Sequence, residues 1–279
     1  MNPYIKTGYL NQDFKMFHLS DHGLRSIEYH YHDFNKLIIF IQGNVTYCIE
    51  GKSYTLKPYD IVLVNSGELH KPIIHDDSEY ERIIIYISPG FLNQYKTDSY
   101  DLNYCFEQAK DEKSNVLRIN HAEKSKLYQV CKELEQSFSK EEFASELYHN
   151  ILFLEFMIHL NRMALSDKID YLANQYSNEK VHQIIDYIHA HLKEDINIDT
   201  IANALYINKH YLMHLFKAET GYTIGNYITS KRLILAKELI SNGMPVTEAC
   251  YECGYHNYSS FFRAYKKHYK DAPKEMLRE

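Results

Sequence analysis

The stretch PVTEACYECGYHNYSSFFRAYKK, residues Pro245–Lys267, decides the fold of its third of the chain. Val246, Ala249, Cys250 and Cys253 recur at helical spacing, and Gly254 then permits a left-handed turn. Phe261 and Tyr265, four residues apart, anchor a second helix, with Lys266 immediately after. An earlier stretch, INIDTIANALYINKHYLMHLFK at Ile196–Lys217, follows the same plan. Asn197 is an N-cap with Asp199 in the first turn, and Ile201, Ala202 and Leu205 form the apolar face. The chain breaks at Tyr206-Ile207, Asn208 caps a new helix, and Leu212, Leu215 and Phe216 point inward, with Lys217 following. A small residue, Ala202 or Cys250, stands in each copy where two helices must cross closely. Two helices joined by a tight turn, twice over, make a pair of helix-turn-helix units.

Between the copies runs TIGNYITSKRLILAKELISNG, Thr223–Gly243. Ile228, Leu233, Leu235, Ala236, Leu239 and Ile240 predict one connecting helix over 225–241, closed by Asn242-Gly243. Such a helix is roughly 25 Å long at about 1.5 Å per residue. A rod of that size holds two recognition helices near one turn of duplex DNA apart, roughly 34 Å.

With these motifs in place, residues 180–279 resemble the paired helix-turn-helix domain of the AraC/XylS family of bacterial transcription regulators. The resemblance is carried by Ile201-Ala202, HYLMHLFKAETG (210–221), KRLILAKELI (231–240) and GYHNYSSFFRAYKKHYKDAP (254–273). Tyr206 departs from the family's usual turn glycine, and Asp271-Ala272-Pro273 from its Gly-x-x-Pro-like turn. The resemblance implies double-stranded DNA as partner. It places base readers at Tyr258, Ser259, Phe262 and Arg263, and, matching these in the first copy, at His210, Met213 and His214. Arg263 suits a guanine, and Phe262 and Tyr258 suit thymine methyls; Lys217 and the helix N-terminus suit phosphates, and Lys267, one turn beyond the readers, is a further DNA contact. The competing readings are a solvated face, set against the repeat, and a membrane-surface helix, set against the absence of a broad apolar stripe.

Charge is distributed to match. Of 31 Lys+Arg and 37 Asp+Glu, 13 and 11 fall in residues 180–279, so that the acidic excess lies in the front two thirds. That front reads first as strands: LIIFIQG, VTYCIEG, KSYTL, DIVLVNSG and ERIIIYIS are short, rich in β-branched and aromatic residues, and separated by turn signals. From His121 the period becomes helical, through Leu127, Val130, Cys131 and Leu134 and again through Leu147, Ile151, Leu154, Ile158 and Met163. The expected fold class is α+β: an antiparallel cupin-like β-barrel followed by helices, then an all-α domain with two helix-turn-helix motifs joined by a long helix. The expected domains are an effector-binding and dimerisation domain at 1–165, a polar linker at 166–179, and the DNA-binding domain at 180–279. The helices at 121–163 are the expected pairing surface of a homodimer.

The region from His30 to Pro72 resembles the small cupin barrel that often precedes the AraC-type domain. His30-Tyr31-His32 places two imidazoles on one side of a strand, and His70 lies on a neighbour. Metal-binding cupins carry a carboxylate four residues after the H-x-H; Lys36 stands there and would repel a cation, so no metal and no cofactor is expected. The same residues, with Tyr47, suit the walls of an effector pocket: His30, His32, Lys36, Tyr47 and His70. The family's regulators of sugar use, and 26 tyrosines with no tryptophan, point to a small polar effector of saccharide class. The leading function is therefore an effector-responsive regulator, not an enzyme, with RNA polymerase as a further partner. Two alternatives stay open: a metal-dependent cupin enzyme, and a DNA-binding regulator controlled by a protein partner through a filled barrel. Cys250-x-x-Cys253 lacks a second ligand pair and reads as packing. The five scattered cysteines fit reduced thiols, and neither a signal peptide nor a span-length apolar run is apparent, so the expected location is cytoplasmic and the expected partners include no membrane.

Overall fold

A computed structural model describes residues 10, 12–23, 26–119, 125–139, 141–166, 169–173, 175–176, 178–269 and 272–273. Residues 121–124, at the expected start of the helical region, and Asp271 of the divergent turn lie outside them.

Strands β1 (Phe14–Asp21), β2 (Asn35–Gln42), β3 (Val45–Ile49), β4 (Lys52–Thr55), β5 (Ile61–Val64), β6 (His70–Ile74) and β7 (Tyr80–Ile87) open the chain. Helices α1 (Pro89–Asn93) and α2 (Tyr104–Asp111), strand β8 (Val116–Ile119), and helices α3 (Lys126–Ser137) and α4 (Ser145–Ala164) follow. Short strands β9 (Ile169–Tyr171) and β10 (Gln175–Tyr176) precede α5 (Glu179–Ala190), α6 (Ile198–Ala204), α7 (Lys209–Thr220), α8 (Ile224–Ser241), α9 (Val246–Glu252) and α10 (Tyr258–Tyr269).

The strands form two sheets, one in the order β1-β7-β2-β5-β8-β9 and one in the order β10-β4-β3-β6. The paired strands are antiparallel. The run LIIFI in β2 shows why the larger sheet reads as unbroken apolar sequence. Ile38 and Phe40 face the smaller sheet and pack with Tyr47, Tyr54, Val62 and Ile84. Leu37 and Ile39 face the opposite way, onto a layer that includes Leu127, Leu134, Phe153 and Phe156 of α3 and α4. Side chains alternate with period two, so a sheet covered on both faces needs apolar residues at every position. Lys36 shares the inner face with Ile38 and is buried there.

The segment expected to be a linker contributes to both sheets. β9 pairs with β8, Ile119 opposite Ile169, and β10 pairs with β4. Strands of two and three residues are too short for a period-two signal, and for that reason the stretch reads as polar connection.

The helical third divides at α8. Ile224, Tyr227 and Ile228 from its first half join Ile201, Leu212 and Phe216 in one core. Leu233, Ala236 and Ile240 from its second half join Val246, Cys250, Phe261 and Tyr265 in another. Among the described residues no helix is long and apolar enough to cross a membrane.

Candidate functional site

Each copy of the repeat builds the same turn. In the first, Tyr206 N–H donates to the Asn203 carbonyl at 3.3 Å and Ile207 N–H to Ala202 at 2.9 Å. In the second, Gly254 N–H donates to Tyr251 at 3.0 Å and Tyr255 N–H to Cys250 at 3.1 Å. Paired bonds of this pattern define a Schellman helix end, whose hinge residue is left-handed. Gly254 meets that demand at φ +89°, and a Cβ there would sit 2.8 Å from the Leu192 carbonyl oxygen. Tyr206 meets it at φ +54° with its ring almost fully exposed. The departure from glycine therefore leaves the turn geometry intact at some cost in backbone strain.

The second helix of each unit starts on an asparagine. Asn208 Oδ1 accepts from the His210 and Tyr211 amides, and Asn257 Oδ1 from the Ser260 amide. Leu212 and Phe216 in α7, and Phe261 and Tyr265 in α10, are fully buried. Helical spacing then turns the residues between them outward. His210, His214 and Lys217 on α7, and Ser259, Arg263, Lys266 and Lys267 on α10, are exposed. Met213, Tyr258 and Phe262 are half-buried, with the Tyr258 and Phe262 rings 6.2 Å apart. All nine expected DNA contacts thus have a solvent-facing surface, and the two aromatics lean on one another. Arg263, Lys217, Lys266 and Lys267 form no ion pair among the described residues, whereas Lys209 is bound to Asp199 at 2.7 Å. Unneutralised cations on the outward face are what a phosphate backbone requires. Cys250 and Cys253 are buried free thiols, and burial raises both.

In the barrel, the structure brings the five expected effector residues together. Tyr47, Lys36, His32 and His70 are buried and His30 is half-buried. The His30 and His70 rings lie 4.4 Å apart, those of His32 and His70 4.9 Å, and those of His30 and His32 5.1 Å. His30 Nδ1 donates to the Glu28 carbonyl at 2.9 Å and His70 Nδ1 to the Glu68 carbonyl at 2.8 Å. Lys36 Nζ reaches the Tyr47 hydroxyl at 3.4 Å and His70 Nε2 at 3.5 Å. Burial pushes Lys36 down to about 7, helped by Arg82. Burial likewise pushes His30 down to about 4 and His70 well below the usual imidazole range, in both cases with Lys36 adding to the effect. In this form the cluster is closed on its own contacts.

Sequence reasoning missed the contact between the two halves. Glu50, in the β3–β4 turn at φ +47°, is a buried carboxylate. Its oxygens accept from Lys231 Nζ at 2.5 Å, from the Tyr227 hydroxyl, and from the Leu69 amide at 2.7 Å. Lys231 also donates to the Gly67 carbonyl at 3.0 Å, and Lys237 to Asp33 at 3.0 Å. Tyr222 OH donates to the Tyr29 carbonyl at 2.8 Å, and Tyr31 OH lies 2.7 Å from His268 Nε2. At Gly67, φ +80°, a Cβ would fall 2.6 Å from Ile234 Cδ1, so Ile234 would have to shift for a larger residue to keep the barrel this close to α8. Tyr227, Lys231, Ile234 and Lys237 recur every three or four residues, and together they turn one face of the rod toward the barrel.

Comparison with known proteins agrees with this architecture. The family model of the AraC-like ligand binding domain matches residues 16–152, and that of a helix-turn-helix domain matches residues 201–279. The HTH-type transcriptional activator RhaS of Escherichia coli (strain K12 / DH10B) is 22% identical over 254 residues, covering 88% of this chain and 86% of that protein. RhaS of Shigella sonnei (strain Ss046) matches to the same extent. Among solved structures, ToxT from Vibrio cholerae strain SCE256, a variant in its apo form, is similar over 96% of this chain and 97% of its own at 17% identity, with a TM-score of 0.40. The C-terminal domain of AraT, a response regulator from Geobacillus stearothermophilus, covers 37% of this chain and 88% of its own at 26% identity, with a TM-score of 0.36. With a ligand-binding barrel in front and twin helix-turn-helix units on a shared helix behind, this chain belongs to the AraC/XylS family of transcription regulators.

Proposed function

We propose that the chain is a sequence-specific regulator that lays α7 and α10 into two successive major grooves of double-stranded DNA, under the control of its barrel. The observation that carries this reading is the repeat in three dimensions. A Schellman turn joins α6 to α7 and another joins α9 to α10, and the following helices carry Lys217 and Arg263, Lys266 and Lys267 exposed and without an ion pair among the described residues. α8 spans 18 residues, about 27 Å at 1.5 Å per residue, a rod of the order of the roughly 34 Å that separates successive major grooves on one face of a duplex. Arg263 and Ser259, flanked by Tyr258 and Phe262, read bases in one groove. His210, Met213 and His214 read them in the other, and Lys217 and Lys267 hold phosphates.

The rest of the proposal concerns control. The domain at 1–165 receives a small polar effector of saccharide class at His30, His32, Lys36, Tyr47 and His70, and residues 180–279 bind DNA. Because the cluster is closed, an effector enters by replacing the contacts of Lys36 with Tyr47 and His70. The protein acts by binding, not catalysis, in the cytoplasm, and communicates with RNA polymerase from its DNA site. It works as a homodimer joined along α4. Supporting this, Tyr148, Ile151, Ile158 and Leu165 are exposed, with Glu155 and Arg162 between them at alternating spacings of three and four.

Selection of bound sequences from random duplex DNA, followed by footprinting, tests the core of the proposal. Two half-sites about 10 base pairs apart, inactivated by inserting half a turn between them, are expected. A single half-site, or indifference to the insertion, overturns it. Thermal-shift measurements against a sugar panel test the effector: stabilisation must grow with ligand concentration and vanish in Lys36→Met.

A further inference from the structure

The three histidines of the barrel have a property that an effector pocket does not need. The chain from His30 to His32 lies beside the start of β6 through the antiparallel bridge between His30 and His70. This brings one ring nitrogen of each of His30, His32 and His70 within 4.8 Å of the others. A tetrahedral ion with metal–nitrogen bonds of about 2.0–2.1 Å holds its ligand atoms about 3.3 Å apart. Ring rotations that bring the nitrogens about 1.5 Å nearer would meet that spacing.

The tautomers are set for ligation as well. The Nδ1 atoms of His30 and His70 donate to the carbonyls of Glu28 and Glu68, which leaves each Nε2 with its lone pair. Metal-bound histidines are held by just such a bond from the other ring nitrogen. His32 and His70 are buried and His30 is half-buried. The one opposing group is Lys36, whose Nζ lies 3.5 Å from His70 Nε2 and competes for that lone pair. The Tyr47 hydroxyl, 3.4 Å from the same Nζ, gives the lysine somewhere else to bond.

We propose that His30, His32 and His70 form a three-histidine site for a divalent d-block cation, with Zn(II), Co(II) and Ni(II) the best suited to three imidazoles. Lys36 stands where a carboxylate ligand would raise affinity, and so sets the site's affinity low. The site also has a path to the DNA-binding half. His70 follows Leu69, whose amide holds the Glu50 carboxylate that grips α8. An ion that draws His70 toward His30 and His32 pulls on that loop. The proposal shares these side chains with the saccharide reading, so ion and saccharide would compete for them, and its failure leaves the DNA-binding reading untouched.

The experiment uses tag-free full-length protein, stripped with chelator and titrated with Co(II). One equivalent per chain should bind, with the visible bands of a low-coordinate Co(II)–imidazole centre, and Zn(II) should displace it. His32→Ala and His70→Ala should each weaken binding at least about 100-fold, and Lys36→Met should strengthen it about tenfold or more. Histidine ring-nitrogen spectra of the wild-type protein guard against variants that misfold: three Nε2 signals should move together with one equivalent of Zn(II). Absence of saturable binding, unchanged binding in His70→Ala, or fewer than three responding rings overturns the proposal.

Discussion

Lys231→Met tests whether the barrel and the rod are coupled through Glu50. The side chains of Lys231 and Glu50 are only 11% and 8% exposed, so the pair is buried. Methionine keeps most of the aliphatic stem and removes the charge. Glu50 then retains the Leu69 amide and the Tyr227 hydroxyl but loses its counter-ion, and breaking a buried pair from one side costs about 3–5 kcal/mol. The interface offers an escape, because undocking lets Glu50 hydrate, so the cost cannot exceed the free energy that holds the halves together. An expected loss of about 3 kcal/mol corresponds to about a 150-fold shift toward undocking. Urea unfolding of wild type, Lys231→Met, Glu50→Gln and the double variant isolates the pair. The double variant leaves no stranded charge and should fall short of the summed single losses by about 2 kcal/mol or more. The pH dependence has a definite sign. Burial raises the Glu50 carboxyl, but the Lys231 charge and the hydrogen bonds from Lys231 and Tyr227 bring it below its ordinary value. Stability from this group is therefore present above the unfolded value of about 4.5 and lost as pH falls through the lower folded one. That acid limb should shrink in Lys231→Met. Additivity of the single variants within about 0.5 kcal/mol would refute the clamp.

Other predictions concern single positions. Arg263→Ala should cost about 1–3 kcal/mol on the selected site and little on random DNA, whereas Lys217→Ala should weaken both and flatten the salt dependence by about one unit, as salt-titrated binding will show. Tyr206→Gly should be neutral or stabilising by up to about 1 kcal/mol in urea, since glycine accepts the left-handed turn, while Tyr206→Val should destabilise by more than that. For Lys36, whose folded value near 7 lies below the ordinary 10.5, the unfolded chain binds more protons between those limits, so stability rises with pH across them. Lys36→Met should melt several degrees higher than wild type at pH 7, with the difference closing as pH climbs toward 10. Gly67→Ala should loosen docking, because its Cβ falls on Ile234, and hydrogen exchange at Leu69 will report it.

How far these features were legible in the sequence depended on the range of the interactions. The DNA-binding half is built from local ones. Leu212/Phe216 and Phe261/Tyr265 are four apart, Asn208 caps its own helix, and Tyr206 and Gly254 mark the two hinges. Periodicity therefore yielded the anchors of the two repeats, Leu212, Phe216, Phe261 and Tyr265, but not the buried face of α5 or Tyr227. In the barrel, β2, β3, β4, β5 and β7 were visible as β-branched runs. β1, with polar residues at Lys15, His18 and Ser20, and β6, interrupted by Pro72, were not. The histidine cluster was legible as a grouping of His30, His32 and His70, and the bridge from His30 to His70 is what brings the three rings together.

The docking of the two halves left no local trace, and the reason bears on function. Lys231 meets Glu50 across 181 residues and Lys237 meets Asp33 across 204. In the sequence both lysines look like the polar side of a helix, and in a DNA-binding domain they would be assigned to phosphates. The structure gives them to the barrel instead, while Arg263, Lys217 and Lys267, the cations proposed to meet DNA, are exposed and form no ion pair among the described residues. The rod thus carries three jobs. Ile228 and Leu233 anchor the two units, its length spaces their recognition helices, and Lys231 and Lys237 tie it to Glu50 and Asp33. A ligand can bias DNA binding only through groups whose energy differs between two arrangements. Glu50 is placed to be such a group, because its carboxylate is shared between α8 and the amide of Leu69, the residue next to His70. A change at His70 therefore alters how tightly the rod is held without any contact between ligand and DNA, and it predicts that ligand sensitivity of DNA binding disappears in Glu50→Gln even though that variant still binds the ligand.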